Sequence, residues 1–193
     1  MAGVGHVAVG MAAARWRARR GAQVELALSM VGWALLSMLP DSDVIGFSFG
    51  ISYDSVWGHR GVTHSFAFAL LVGGIVALVA RARHRAAVRT GVLASLVVTS
   101  HGLLDTLTDG GRGIALLWPF TDHRYFAPWH PIPVSPIGLG LLSSFGARVA
   151  AHELLLFAPV FAYAMWPRRR PVEHAGPRGT EERHRGAEAP RLN

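Results

Sequence analysis

Histidine and aspartate recur along this chain in a pattern that suits a metal centre. HRGVTHS, His59 to Ser65, carries His59, Arg60 and His64. HGLLD sets His101 and Asp105 at i and i+4, on one face of a helix. PDSD puts Asp41 and Asp43 just past the helix-stopping Pro40, where both carboxylates can point inward, and His6 lies near the N-terminus. Imidazole nitrogen and carboxylate oxygen suit Zn²⁺ first, with Mn²⁺ or Fe²⁺ also served. The candidate ligands His6, Asp41, Asp43, His59, His64, His101 and Asp105 suffice for one or two ions. The chemistry expected of them is hydrolysis of an ester, a phosphoester above all, by water that a divalent metal activates. Asp43 or Asp105 would act as general base, with Arg60 and Arg112 stabilising the developing charge.

The elements that must hold these residues are apolar. The chain has 193 residues, of which 51% are hydrophobic and only 16% charged. An ordinary soluble domain carries about 25% charged residues, so surface polarity is short. Cysteine is absent, which excludes disulfides and thiolate metal sites. The net charge of +7 comes from arginines gathered between apolar segments and in the tail. That placement points to a membrane rather than to nucleic acid.

Five apolar segments predict an all-α, polytopic membrane helix bundle. They run from about Gly3 to Ala14, Val24 to Leu39, Ser65 to Ala80, Val88 to Leu104 and Val149 to Trp166. Residues 1–166 form the expected membrane-embedded unit, and the polar, basic stretch 167–193 is expected to be a disordered cytoplasmic tail. The positive-inside rule puts the arginine clusters at 15–20, 81–89 and 168–170 in the cytoplasm. The chain would then be a multi-pass plasma (inner) membrane protein, with every candidate ligand at the extracytoplasmic end of its helix.

A long extracytoplasmic loop, Asp105 to Pro136, completes the expectation. The glycines of TDGGRG would let backbone N–H groups approach an anion, and Arg112 and Arg124 would clamp a phosphate. Each residue also has a plainer reading. A lone Asp after Pro serves a turn, an arginine beside an apolar run is an interfacial anchor, and His101 with Asp105 can be a structural pair. Convergence on one side of the membrane from separate segments is what favours a site.

The motifs His6, LPDSD, HRGVTHS, HGLLDTLTDGGRGIALLWPF and RYFAPWHPIPVSP together resemble a family of bacterial and archaeal membrane-bound metal-dependent hydrolases. The resemblance spans roughly Met1 to Trp166. It implies a multi-helix membrane protein with a hydrolytic metal site; the partners expected from the residues themselves are the lipid bilayer and a lipid-like or phosphorylated substrate, with no nucleic acid. The rival reading is a non-enzymatic metal-binding or metal-transporting membrane protein. A transporter is expected to place its ionisable groups at the midplane, in broken helices.

Overall fold

The computed structural model describes residues 3–18 and 23–167. It is all-helical, with no strand among the described residues. The α-helices are α1 (Gly3–Arg17), α2 (Gln23–Met38), α3 (Phe66–Ala82), α4 (Ala87–Thr106), α5 (Ser144–Leu156) and α6 (Ala158–Met165). The tail from residue 168 onward, and His174 and His184 within it, lie outside the described residues.

The helical run that α2 begins does not end at Pro40. The chain tightens into a 3-10 segment, Leu39–Phe49, and stops at Gly50, whose φ of 75° suits glycine. Together α2 and this segment, Gln23–Phe49, form a 27-residue run long and apolar enough to cross a membrane. α4, with 20 residues, is a second such span. The segment expected at Val149–Trp166 is two helices, α5 and α6, bent by 64° at Phe157. Pro159 explains why the break falls there: it lacks the N–H a continuous helix needs but fits the first turn of α6. Counted as one bent span, this pair makes a third crossing. α3 is apolar but shorter. Ser65 caps it, accepting a hydrogen bond from Phe68 N at 3.1 Å.

α1 pairs with α2 and α3 with α4, and α1 also touches α4, α5 and α6. Small residues set these crossings. A Cβ on Gly10 would meet Trp33 O at 2.5 Å, and one on Gly73 would meet Gly91 O at 2.7 Å. Such close backbone approach is the packing that membrane helices use, since lipid provides no hydrophobic drive between them. Large apolar side chains such as Leu28, Leu35, Leu70, Leu71, Leu96 and Leu155 face outward. Outward leucines suit a hydrocarbon surround.

The helix directions divide the bundle into two ends. His6 near the start of α1 sits with His101 and Asp105 near the end of α4. At the other end, Arg17 closes α1 and donates to Thr90 Oγ1 in the first turn of α4. The ligand cluster and Arg17 are therefore separated by most of the length of α4.

The 105–136 loop is packed down rather than free. Ile114, Ala115 and Ile132 are buried, and Ala115 N donates to Arg60 O at 3.1 Å. Isolated bridges, Thr108 with Ile132 and Ile114 with Tyr125, hold it together. Its aromatic side chains Phe120 and Trp129 point outward.

Candidate metal centre

All seven candidate ligands meet in one buried cluster, and His64 is its hinge. The 3-10 geometry of Leu39–Phe49 turns Asp41 and Asp43 to different sides of the His64 ring. Asp41 Oδ1 faces Nε2 at 3.5 Å, while Asp43 Oδ2 faces Nδ1 at 3.3 Å. Two groups result, Asp41–His64–His101–Asp105 and Asp43–His59–His64, each with its ligand atoms within 4.8 Å of one another.

The first group has the geometry of a metal site. His101 Nε2 lies 3.3 Å from Asp41 Oδ1 and 4.0 Å from Asp105 Oδ2, and His64 Nε2 lies 3.6 Å from Asp105 Oδ2. A tetrahedral ion with bonds of about 2.1 Å holds its ligand atoms about 3.4 Å apart. His101 Nδ1 sits 2.7 Å from Ser37 O, a carbonyl that can only accept, so Nδ1 carries the hydrogen and Nε2 presents its lone pair. Asp41 Oδ1 and Oδ2, His64 Nε2 and His101 Nε2 are buried with no hydrogen-bond partner. Buried polar atoms are normally satisfied, and a cation at their centre would satisfy all of them. The charge balance agrees: the cluster sets the carboxylates of Asp41, Asp43 and Asp105 against the single guanidinium of Arg60. These buried His and Asp side chains can hold a metal ion.

The second group is already occupied with hydrogen bonds. Asp43 Oδ1 pairs with His59 Nδ1 at 2.7 Å, and Oδ2 accepts from Thr63 Oγ1 at 2.7 Å and Arg60 N at 3.2 Å. A carboxylate behind the far nitrogen of a ligating histidine is the usual support that fixes its orientation. His6 plays a comparable part, with Nε2 3.2 Å from Asp105 Oδ1 and its ring stacked on His101 at 3.6 Å.

His64, in the turn before α3, records the field of this cluster. Burial pulls its pKa down, but Asp105, Asp41 and Asp43 outweigh that and push it up to about 10. Without a metal, a proton on His64 takes part of the cation's place.

Arg60 is fully buried and adopts φ 67°, a left-handed conformation rare outside glycine. Its guanidinium donates to Gly110 O at 2.6 Å and Thr108 Oγ1 at 2.9 Å, and Nε lies 3.5 Å from Asp105 Oδ2. Arg60 therefore ties the TDGG turn to Asp105. Arg60 meets both glycines of that turn. Gly111 has φ 85°, and a Cβ on it would come within 2.5 Å of Arg60 Nη1.

The two arginines expected to clamp a phosphate have protein partners in this structure. Arg112 is 65% exposed and pairs with Asp54 Oδ1 at 2.8 Å, away from the cluster. Arg124 spends its guanidinium on the carbonyls of His59, Tyr53 and Ser55, strapping down the chain before HRGVTHS. Both found partners in the 53–59 loop, which offers a carboxylate and backbone carbonyls. His123 and His130 are exposed and stay outside the cluster.

Sequence reasoning left Glu153 aside. It is 1% exposed, and its Oε2 accepts from Val4 N at 2.8 Å and Gly5 N at 3.1 Å. A carboxylate from α5 thus caps the N-terminus of α1, one residue before His6. Its signal was a lone acid in an apolar helix. Ser37, which accepts from His101 and donates to His6 O at 2.7 Å, had no comparable signal.

Fold and cluster together define an all-helical, membrane-spanning protein with a buried His/Asp centre able to hold a metal. The chain belongs to the YdjM inner membrane protein family, whose profile matches residues 1–171. It is also 40% identical over 141 residues to Inner membrane protein YbcI of Escherichia coli (strain K12), covering 70% of this chain and 82% of that protein. No solved structure matches it. The chain is accordingly an inner-membrane protein.

Proposed function

We propose that this chain is a metal-dependent hydrolase acting on a phosphoester of a lipid-like or membrane-surface substrate, with its centre on the extracytoplasmic side. The observation that carries the reading is the convergence of buried, unpartnered atoms from Asp41, His64 and His101 at the spacing a metal requires. Asp41, His64, His101 and Asp105 would hold the ion, and two imidazoles with two carboxylates favour Zn²⁺. A divalent metal there supplies Lewis acidity and lowers the pKa of a coordinated water.

The chain's own residues do the rest. Asp43 and His6 hold His64 and Asp105 in register, and Arg60 fixes Asp105 and offsets part of the acid charge. Asp41 has two oxygens without hydrogen-bond partners. One would be a ligand to the ion, leaving the other to accept the proton of the attacking water. The water oxygen bonds to phosphorus, the ester P–O bond breaks, and the leaving alcohol takes up that proton. Supporting this orientation, Arg17 and Thr90 lie at one end of the bundle and the cluster at the other, and the positive-inside rule turns the arginine end toward the cytoplasm.

A structural metal is the second reading, favoured by a set of four protein ligands, which closes a tetrahedral site. Metal analysis of detergent-purified protein, followed by a phosphoester panel, decides between them. Wild type should bind metal and hydrolyse at least one phosphoester. Metal retained with every ester untouched, in protein that melts once the metal is chelated, would establish the structural role instead.

A further inference from the structure

An apolar groove of about 400 Å³ lies between α1 and α2. Val7 and Met11 line it from α1, and Ala27, Met30, Ala34 and Met38 from α2. Its floor is closed, because Gly10 brings the two backbones together at Trp33 and Ala34. The α2 residues recur at helical spacing along one face, and the next position of that series is Asp41. Asp41 has the least buried side chain of the four ion-facing residues, 4% exposed against 0% for His64, His101 and Asp105, while its two carboxylate oxygens are themselves buried. On the α1 side, Val7 directly follows His6. The groove thus begins at Met38 and Val7, one helical turn from Asp41 and next to His6 in the chain, and runs for about 16 Å from Met38 to Ala27 at helical rise.

We propose that this groove seats a long acyl chain of the substrate, so that the phosphoester of a membrane phospholipid sits at Asp41 with its tail along α1 and α2. The proposal rests on the hydrolase reading and names its substrate class. A groove with wholly apolar lining offers a charged or sugar tail nothing, whereas each methylene it covers is held by dispersion and packing. One narrow track accepts one chain, which predicts preference for long-chain over short-chain esters.

The test uses the full chain in nanodiscs, loaded with zinc. The probe is phosphatidic acid with a photoreactive diazirine at the end of one acyl chain. Labelling should concentrate at Met11 and at Ala27–Met30, the end of the groove remote from Asp41. Ala34→Trp fills the middle of the track. Filling the track removes the packing contacts that hold the chain there, so groove labelling should fall to the level at Leu70 and Leu155 while zinc content stays unchanged. If Ala34→Trp fails to insert, Ala27→Phe should abolish labelling at the remote end alone. Even labelling over Leu70, Leu71 and Leu155, unmoved by either variant, would identify bulk bilayer contact and overturn the proposal. Concentrated labelling of protein that binds no zinc would leave the groove standing and sink the hydrolase reading. Bound zinc with even labelling does the reverse.

Discussion

Asp43→Asn separates the ion's ligands from their supports. Asp43 Oδ2 lies 3.3 Å from His64 Nδ1 and accepts from Thr63 and Arg60, while Oδ1 is 2.7 Å from His59 Nδ1. The amide removes the charge and sets an NH₂ group where one carboxylate oxygen stood. The least costly orientation turns NH₂ toward His59, which can switch tautomer and accept. His64 then donates to a neutral amide oxygen, a bond roughly half as strong as one to a carboxylate. Loss of such a support lowers metal affinity about 10–100-fold, which is about 1.4–2.8 kcal/mol. Competition against a fluorescent zinc chelator, on folded protein in detergent, measures both affinity and stoichiometry. Weaker binding at unchanged stoichiometry is expected. A halved stoichiometry would make Asp43 the ligand of a second ion and refute the division of the cluster into ligands and supports. Unchanged affinity would show that the Asp43–His64 contact orients nothing.

Other predictions follow from single contacts. Glu153→Leu strands the N–H groups of Val4 and Gly5 and should destabilise by about 1–3 kcal/mol for each; Glu153→Gln, which keeps an acceptor, should recover most of the thermal midpoint and of the zinc affinity. For the metal-free protein, the His64 pKa is raised from 6.5 to about 10, so its stabilising contribution is fully present below 6.5 and lost as pH rises toward 10. Melting curves should therefore show the metal-free midpoint falling across that window, and a midpoint that rises there would contradict the shift. Topology can be read by single-cysteine labelling, since the chain has no cysteine of its own; an Arg85→Cys variant should resist an impermeant reagent in intact cells, and ready labelling would invert the proposed orientation.

Much of the fold was legible because apolar length and arginine flanks are local signals. α3 and α4 fall within about two residues of their expected bounds. What sequence hid was tertiary. Pro40 read as a stop, yet the chain carried on as a 3-10 segment, and that turn decides which face of His64 each aspartate meets. The gathering of His6, Asp41, Asp43, His59, His64, His101 and Asp105 could be anticipated, because one end of a bundle collects residues from alternate helix ends. Their division into an ion-facing group and a hydrogen-bonded support could not, since it depends on ring orientation. The partners of Arg112 and Arg124 were hidden for a similar reason. A guanidinium takes whichever acceptor packing brings within reach, and Asp54 and the carbonyls of the 53–59 loop came first for Arg112 and Arg124. Glu153 joins residues nearly the whole chain apart, and no spacing rule reaches that far.

Metal content of the folded protein tests the centre most directly. His101 presents an unpartnered Nε2 to Asp41, whereas His84 lies in the exposed turn between α3 and α4. His101→Ala, His84→Ala and wild type would be purified in the same detergent, confirmed as helical by circular dichroism, and assayed for bound metal by mass spectrometry. Wild type and His84→Ala should retain the ion, and His101→Ala should lose it. Equal metal in all three would contradict the account and reduce His101, Asp41 and Asp105 to a buried structural network.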